Sequence, residues 1–214
     1  MIRCCIFDAD GTLLDSMPMW RDITYEYAQQ KGIHAPEGLH RTLNRLSLEQ
    51  CAEYYQGLGV PGTVEEIAQE LSQCALEGYR TRVPEKPHAG EFLRLLQENH
   101  IHIAVATASN REGVLLALER LGMLPLVDYF TTCTEVGKSK EHPDIFTTCA
   151  AQFGAAPQET VVLRTPPTPS ARRGQRASRW WRWRTPSPPR GKPATKPGRA
   201  WPAWPTWSSP TTGS

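Results

Sequence analysis

The segment Cys4-Cys5-Ile6-Phe7-Asp8-Ala9-Asp10-Gly11-Thr12 constrains this chain most. An unbroken apolar run ends in two carboxylates separated by one residue, and a glycine and a threonine follow at once. A short, continuously apolar run fits a strand buried on both faces, as in a parallel sheet. Polar groups at the carboxyl end of such a strand lie where open α/β sheets place their binding crevices. Two acids this close repel each other unless a cation or a shared proton offsets the charge. One can then attack as a nucleophile while the other handles protons. Gly11 permits a turn that other residues resist. The same residues also fit a strand that ends in an ordinary Asx-type turn.

Residues 17–83 read as helical. Trp20, Ile23, Tyr27 and Ala28 fall on one helical face, and Gly32 is a stop signal. Ser47 with Gln50 forms a capping-box pattern for a helix over 48–57, and Thr63 with Glu66 repeats it ahead of Ile67, Leu71 and Cys74. No strand pattern interrupts this region, which reads as a helical insertion after the first strand. Pro84 and Pro87 mark the return, and residues 89–99 form a further amphipathic helix. Ile101-His102-Ile103-Ala104-Val105-Ala106 is a second buried strand, with His102 packed rather than catalytic. It ends in Thr107-Ala108-Ser109-Asn110, followed by a helix from about Arg111 to 121. A hydroxyl at a strand end beside a helix N-terminus suits phosphate binding. It equally suits a plain N-cap at Thr107 or Ser109. Tyr129–Cys133 is a third strand. Lys138 and Lys140 precede Pro143-Asp144-Ile145-Phe146 and a helix reaching about Phe153. A lysine there can neutralise a transferring phosphoryl group, or stand solvated on the surface. Thr160–Leu163 begins a fourth strand.

Three of these stretches together resemble the haloacid dehalogenase superfamily. FDADGTLLDS is similar to its motif I, ATASN to motif II, and KxxPDIF to motif III of the β-phosphoglucomutase-like branch. The resemblance covers about residues 1–163. It implies an α/β fold: a Rossmann-like parallel sheet core, residues 1–16 and 84–163, with an inserted α-helical cap, residues 17–83, that closes over the site. It implies Asp8 as nucleophile, Asp10 as general acid/base, and Thr107 and Lys140 on the phosphoryl oxygens, with Asn110 a further phosphate contact. Lys140 is favoured over Lys138 because it lies three residues before the proline. Asp8 and the Asp10 backbone carbonyl are implied to bind Mg2+. The implied activity is magnesium-dependent hydrolysis of a small phosphomonoester through an aspartyl-phosphate. A phosphohexomutase is the alternative within the family. Leu48 stands where mutases carry an arginine for the distal phosphate, which favours a phosphatase. A dehalogenase does not need the second aspartate.

The pattern breaks after Leu163. The family's motif IV acids, which complete the metal site, should follow the fourth strand, and this chain has Arg164-Thr165-Pro166-Pro167 instead. Residues 164–214 hold 11 of the 24 Lys+Arg and none of the 22 Asp+Glu. Residues 1–163 therefore set 13 cations against 22 acids, a net charge of −9. From 165 onward there is no Leu, Ile, Val or Phe, but 11 of the 19 prolines and 6 of the 7 tryptophans. Such a segment cannot extend a sheet, and its composition predicts an irregular, disordered tail. Its Arg and Trp residues suit nucleic-acid or membrane-surface binding, a non-enzymatic alternative for the whole chain.

A shifted reading frame accounts for the tail differently. Taking the third base of each codon with the first two of the next, codon degeneracy permits FEDAPYAIRTARAAGFPVVAVAD across Val162–Arg184. Read as protein, it gives an acidic turn, an amphipathic helix and an apolar strand, and it resembles motif IV and the family's chain beyond it. A one-base deletion near the codon for Val162 or Leu163 is the expectation, with strand 2–8 left at or near an exposed sheet edge and activity weak or absent.

The six cysteines show no ligand-like spacing, so reduced thiols and a cytoplasmic location are expected. The N-terminal apolar run is too short for a signal peptide, and no apolar stretch approaches the roughly 20 residues that span a bilayer. The expected partner is a small phosphorylated metabolite, with neither nucleic acid nor membrane.

Overall fold

The apolar runs become four short parallel strands: β1 (Cys4–Phe7), β2 (His102–Thr107), β3 (Tyr129–Thr132) and β4 (Thr160–Leu163). The computed structural model describes residues 1–43, 46–140 and 142–164. The sheet order is β3-β2-β1-β4. Its register pairs Cys5 with Ile103 and Val161, and Ala106 with Thr131. Parallel neighbours need crossovers, and helices supply them. Helices α1 (Met17–Gln30), α2 (Leu39–Leu43), α3 (Leu48–Gly57), α4 (Val64–Thr81) and α5 (Ala89–Glu98) lie between β1 and β2. Helix α6 (Arg111–Arg120) joins β2 to β3, and α7 (Cys133–Val136) and α8 (Asp144–Gln152) join β3 to β4.

Both faces of the sheet are covered, which is why β1 and β2 are apolar without alternation. Phe7 and Val105 pack with Leu93 of α5 and Val114 and Leu118 of α6. Ile6 and Ala104 face the other way, onto Ile145, Phe146 and Cys149 of α8. Phe7 and Leu93 are fully buried, and each such side chain stabilises the fold by about 1.5–3 kcal/mol. β1 lies one strand in from an edge, near it but not at it. Thr160–Leu163 is apolar enough to pair along the whole of β1, so among the described residues the edge strand beside β1 is β4, where Val161 is 37% exposed.

Helices α1–α4 carry a second core, centred on Tyr27, Tyr55, Leu39 and Ile67. Both capping boxes form: Ser47 with Gln50 starts α3, and Thr63 with Glu66 starts α4. Each such cap contributes about 1 kcal/mol. Tyr55 donates to the Thr24 carbonyl at 2.7 Å, and its ring meets Tyr27 edge-on at 5.0 Å. The segments entering and leaving this helical region run side by side. Asp15 N–H donates to the Pro84 carbonyl at 2.9 Å, Lys86 N–H to the Leu13 carbonyl at 2.8 Å, and the Lys86 ammonium meets Asp15 at 2.6 Å. No helix among the described residues is long and apolar enough to cross a membrane. The tail expectations fall, from Thr165 on, outside the described residues.

Candidate functional site

Asp8 is the first residue past β1, and its N–H continues the ladder by donating to the Leu163 carbonyl at 2.9 Å. The chain then turns sharply. Leu13 and Leu14 N–H groups donate to the Ala9 carbonyl at 2.9 and 3.0 Å, and Gly11 N–H donates to the Leu14 carbonyl at 2.8 Å. Gly11 has φ 74°, the left-handed region that glycine enters without strain. The turn keeps Asp10 on the same rim as Asp8.

The Lys140 ammonium donates to Asp8 Oδ1. Both side chains are largely buried, 12% exposed for Lys140 and 15% for Asp8. Burial pushes the Asp8 carboxyl above its ordinary range, the Lys140 cation opposes this, the Asp10 charge adds to it, and Arg164 again opposes. Lys138 instead pairs with Asp144 at 2.6 Å on the surface.

Asp10 accepts two hydrogen bonds. Tyr79, from the last turn of α4, donates to Oδ1 at 2.8 Å, and Ser109 donates to Oδ2. Burial first, and then the Asp10 charge, raise the Tyr79 phenol, so it remains a neutral donor. Thr107 is fully buried at the end of β2, and its hydroxyl accepts from Ser109 N–H at 3.0 Å. One connected set thus runs from Thr107 through Ser109 to Asp10 and Tyr79, beside the Asp8–Lys140 pair. Neither Thr107 nor Ser109 caps α6. Asn110 does so, accepting from Gly113 N–H at 3.1 Å.

The sequence does not single out Tyr79 or Ser109 as partners of Asp10. Ser109 enters only as a candidate cap, and Tyr79 is not named at all. The two join Asp10 across 69 and 99 positions, so no local spacing announces them. The ring of Tyr79 fits because α6 has glycine opposite it: a Cβ at Gly113 would lie 2.7 Å from Tyr79 Cδ2.

A divalent ion fits this donor set poorly. Among the described residues no group of three His, Cys, Asp or Glu side chains comes together. Both Asp10 oxygens and one Asp8 oxygen already accept hydrogen bonds. Residues 165–214 contain no acid to add as a ligand. The rim beside Asp8 carries the cation Arg164 instead.

The parallel sheet with paired acids at the rim of its first strand defines an α/β architecture with two carboxylates where such sheets place their sites. Residues 2–163 match the family model described as a haloacid dehalogenase-like hydrolase, and the chain belongs to that family. It is 28% identical over 170 residues to hexitol phosphatase A of Escherichia coli, covering 78% of this chain and 76% of the relative. It is 23% identical over 163 residues to a phosphorylated carbohydrates phosphatase of Thermotoga maritima, covering 76% of each. Its fold is similar to CbbY of Rhodobacter sphaeroides in complex with phosphate, with TM-score 0.61, 19% identity, and 76% and 77% of the two chains covered.

Proposed function

We propose that the site is built to hydrolyse a small phosphomonoester, with a phosphorylated sugar or sugar alcohol as the substrate class that the relatives' names suggest. The observation that carries this reading is the Lys140 ammonium seated on a buried Asp8, with Asp10 held on the same rim. An Asp8 oxygen attacks phosphorus, and the ester P–O bond breaks. Asp10 gives its proton to the departing alkoxide. Asp10 then takes a proton from the water that attacks the aspartyl-phosphate, which frees phosphate and restores Asp8. Thr107 and Lys140 hold the phosphoryl oxygens as charge develops. Helices α1–α4 serve as the cap, and Leu48 at the start of α3 offers no cation for a second phosphate. All six cysteines are free thiols, which supports a reducing, cytoplasmic setting.

Magnesium, which the family resemblance implies, would rest on Asp8 and the Asp10 backbone carbonyl. Weak metal affinity and impaired turnover follow. We attribute the deficit to a one-base deletion near the codon for Val162 or Leu163. With the lost base restored, FED falls on residues 163–165, so Glu replaces Arg164. Resequencing the DNA across this point tests the deletion, and an unrelated coding sequence in the second frame overturns it. A panel of hexose, hexitol and glycerol phosphates tests the activity, run on the chain as it stands and on a frame-corrected protein. The corrected protein is expected to release phosphate at least tenfold faster, and Asp8→Asn to abolish release. A corrected protein inactive on every ester, or activity that survives Asp8→Asn, overturns the reading.

A further inference from the structure

The residue after β4 puts a cation where the family's acids belong. The ladder pairs Phe7 with Leu163, and Asp8 N–H donates to the Leu163 carbonyl. Arg164 therefore stands beside Asp8, one strand over on the same rim. Its Nη1 donates to the Lys140 carbonyl at 3.3 Å. This ties the guanidinium to the residue whose ammonium sits on Asp8. Its Nε is buried and has no hydrogen-bond partner among the described residues. A buried donor left unfilled destabilises the fold, so this one is poised for an acceptor.

Charge points the same way. In the family's pattern a divalent ion offsets the motif IV acids at this point. A guanidinium brings positive charge to the rim without the ion. It also presents planar donors that match phosphate oxygens.

We propose that Arg164 takes the place of the metal in this chain, and that Arg164 and Lys140 together bind a phosphate dianion, free or as the head of a phosphomonoester, without a divalent ion. This rests on the phosphate-site reading above. Binding and turnover then separate: the chain holds phosphate while its chemistry stays impaired.

Titration calorimetry with inorganic phosphate on the full chain tests this, in EDTA and in excess Mg2+ at the same low ionic strength. The affinity is expected to agree between the two buffers within about twofold. Arg164→Gln should weaken it by about tenfold or more, and Arg164→Lys, which keeps the charge, should recover part of the loss. Arg164→Asp should make binding depend on Mg2+. Phosphate that binds only with Mg2+, or that binds Arg164→Gln as tightly as the parent, overturns the role of Arg164 and leaves the site reading intact. Binding indifferent to Lys140→Met, or no binding in either buffer, overturns both.

Discussion

Lys140→Met should destabilise the protein in a way that depends on pH, because it strands a charge. Asp8 is 15% exposed and its side chain meets the Lys140 ammonium. Removing one partner of a buried pair costs about 3–5 kcal/mol. The carboxyl has an escape, since it can take up a proton. Burial already favours the protonated form. Arg164 still offsets part of the charge, so the expected loss at pH 7 is about 2–4 kcal/mol. That is a large share of the 5–15 kcal/mol typical of a domain, yet short of unfolding it. At pH 5 protonation is cheaper than at pH 7 by about 2.7 kcal/mol, and the deficit must shrink accordingly. The sign follows from linkage. A carboxyl raised in the folded state holds its proton longer than in the unfolded chain, so stability is lost as pH climbs above the unfolded value. Urea unfolding followed by circular dichroism at pH 5 and 7, parent against variant, measures this. The double variant Asp8→Asn/Lys140→Met should recover most of the loss at pH 7. A variant within 0.5 kcal/mol of the parent at pH 7 (about the resolution of the method), or a deficit equal at both pH values, refutes the reasoning.

Three further outcomes are expected. Gly113→Ala should lower the melting temperature, because its Cβ would meet the buried Tyr79 ring at 2.7 Å, and overpacking of about 1–3 kcal/mol outweighs a helix gain of at most about 1; a higher melting temperature would contradict the close contact. Burial pushes the Cys4 thiol to about 11 and those of Cys5 and Cys149 to about 12. Above pH 9 the unfolded chain sheds these protons first, so each thiol erodes stability by up to about 1.4 kcal/mol per pH unit. Cys149→Ala should flatten the decline in urea midpoint between pH 9 and 10. Leu93→Ala, at a fully buried site between the sheet and α5, should cost about 2–5 kcal/mol in the same assay.

The elements legible in the sequence are those with a local cause. Runs such as Cys4–Phe7 fit doubly covered strands, and the Ser47 and Thr63 boxes start α3 and α4 where their spacing says. The short helix α7 carries the same signal, Thr132 with Glu135, but the aromatic and β-branched run Tyr129–Thr132 makes Cys133 read as the end of a strand. Asp8 and Lys140 can be paired by motif order alone, across 132 positions. Tyr79 cannot, since its ring belongs to the buried stripe of Ile67, Leu71 and Ala75 and only its hydroxyl leaves that stripe. The place of β1 inside the sheet turns on whether four residues, Thr160–Leu163, are enough to pair, a balance of burial against exposure that no periodicity encodes.

The paired connectors between β1 and α1, and between α4 and α5, have a mechanical consequence. The chain crosses between sheet and helices twice, and the two crossings are sewn together by the Asp15–Pro84 and Leu13–Lys86 bonds and by the Lys86–Asp15 ion pair. Two separate threads would let the helical part slide or shear. Two threads fastened as one resist sliding and favour a swing, like a door on a pin. Tyr79 sits five residues from that pin and its hydroxyl holds Asp10, so a swing there would pull on the acid.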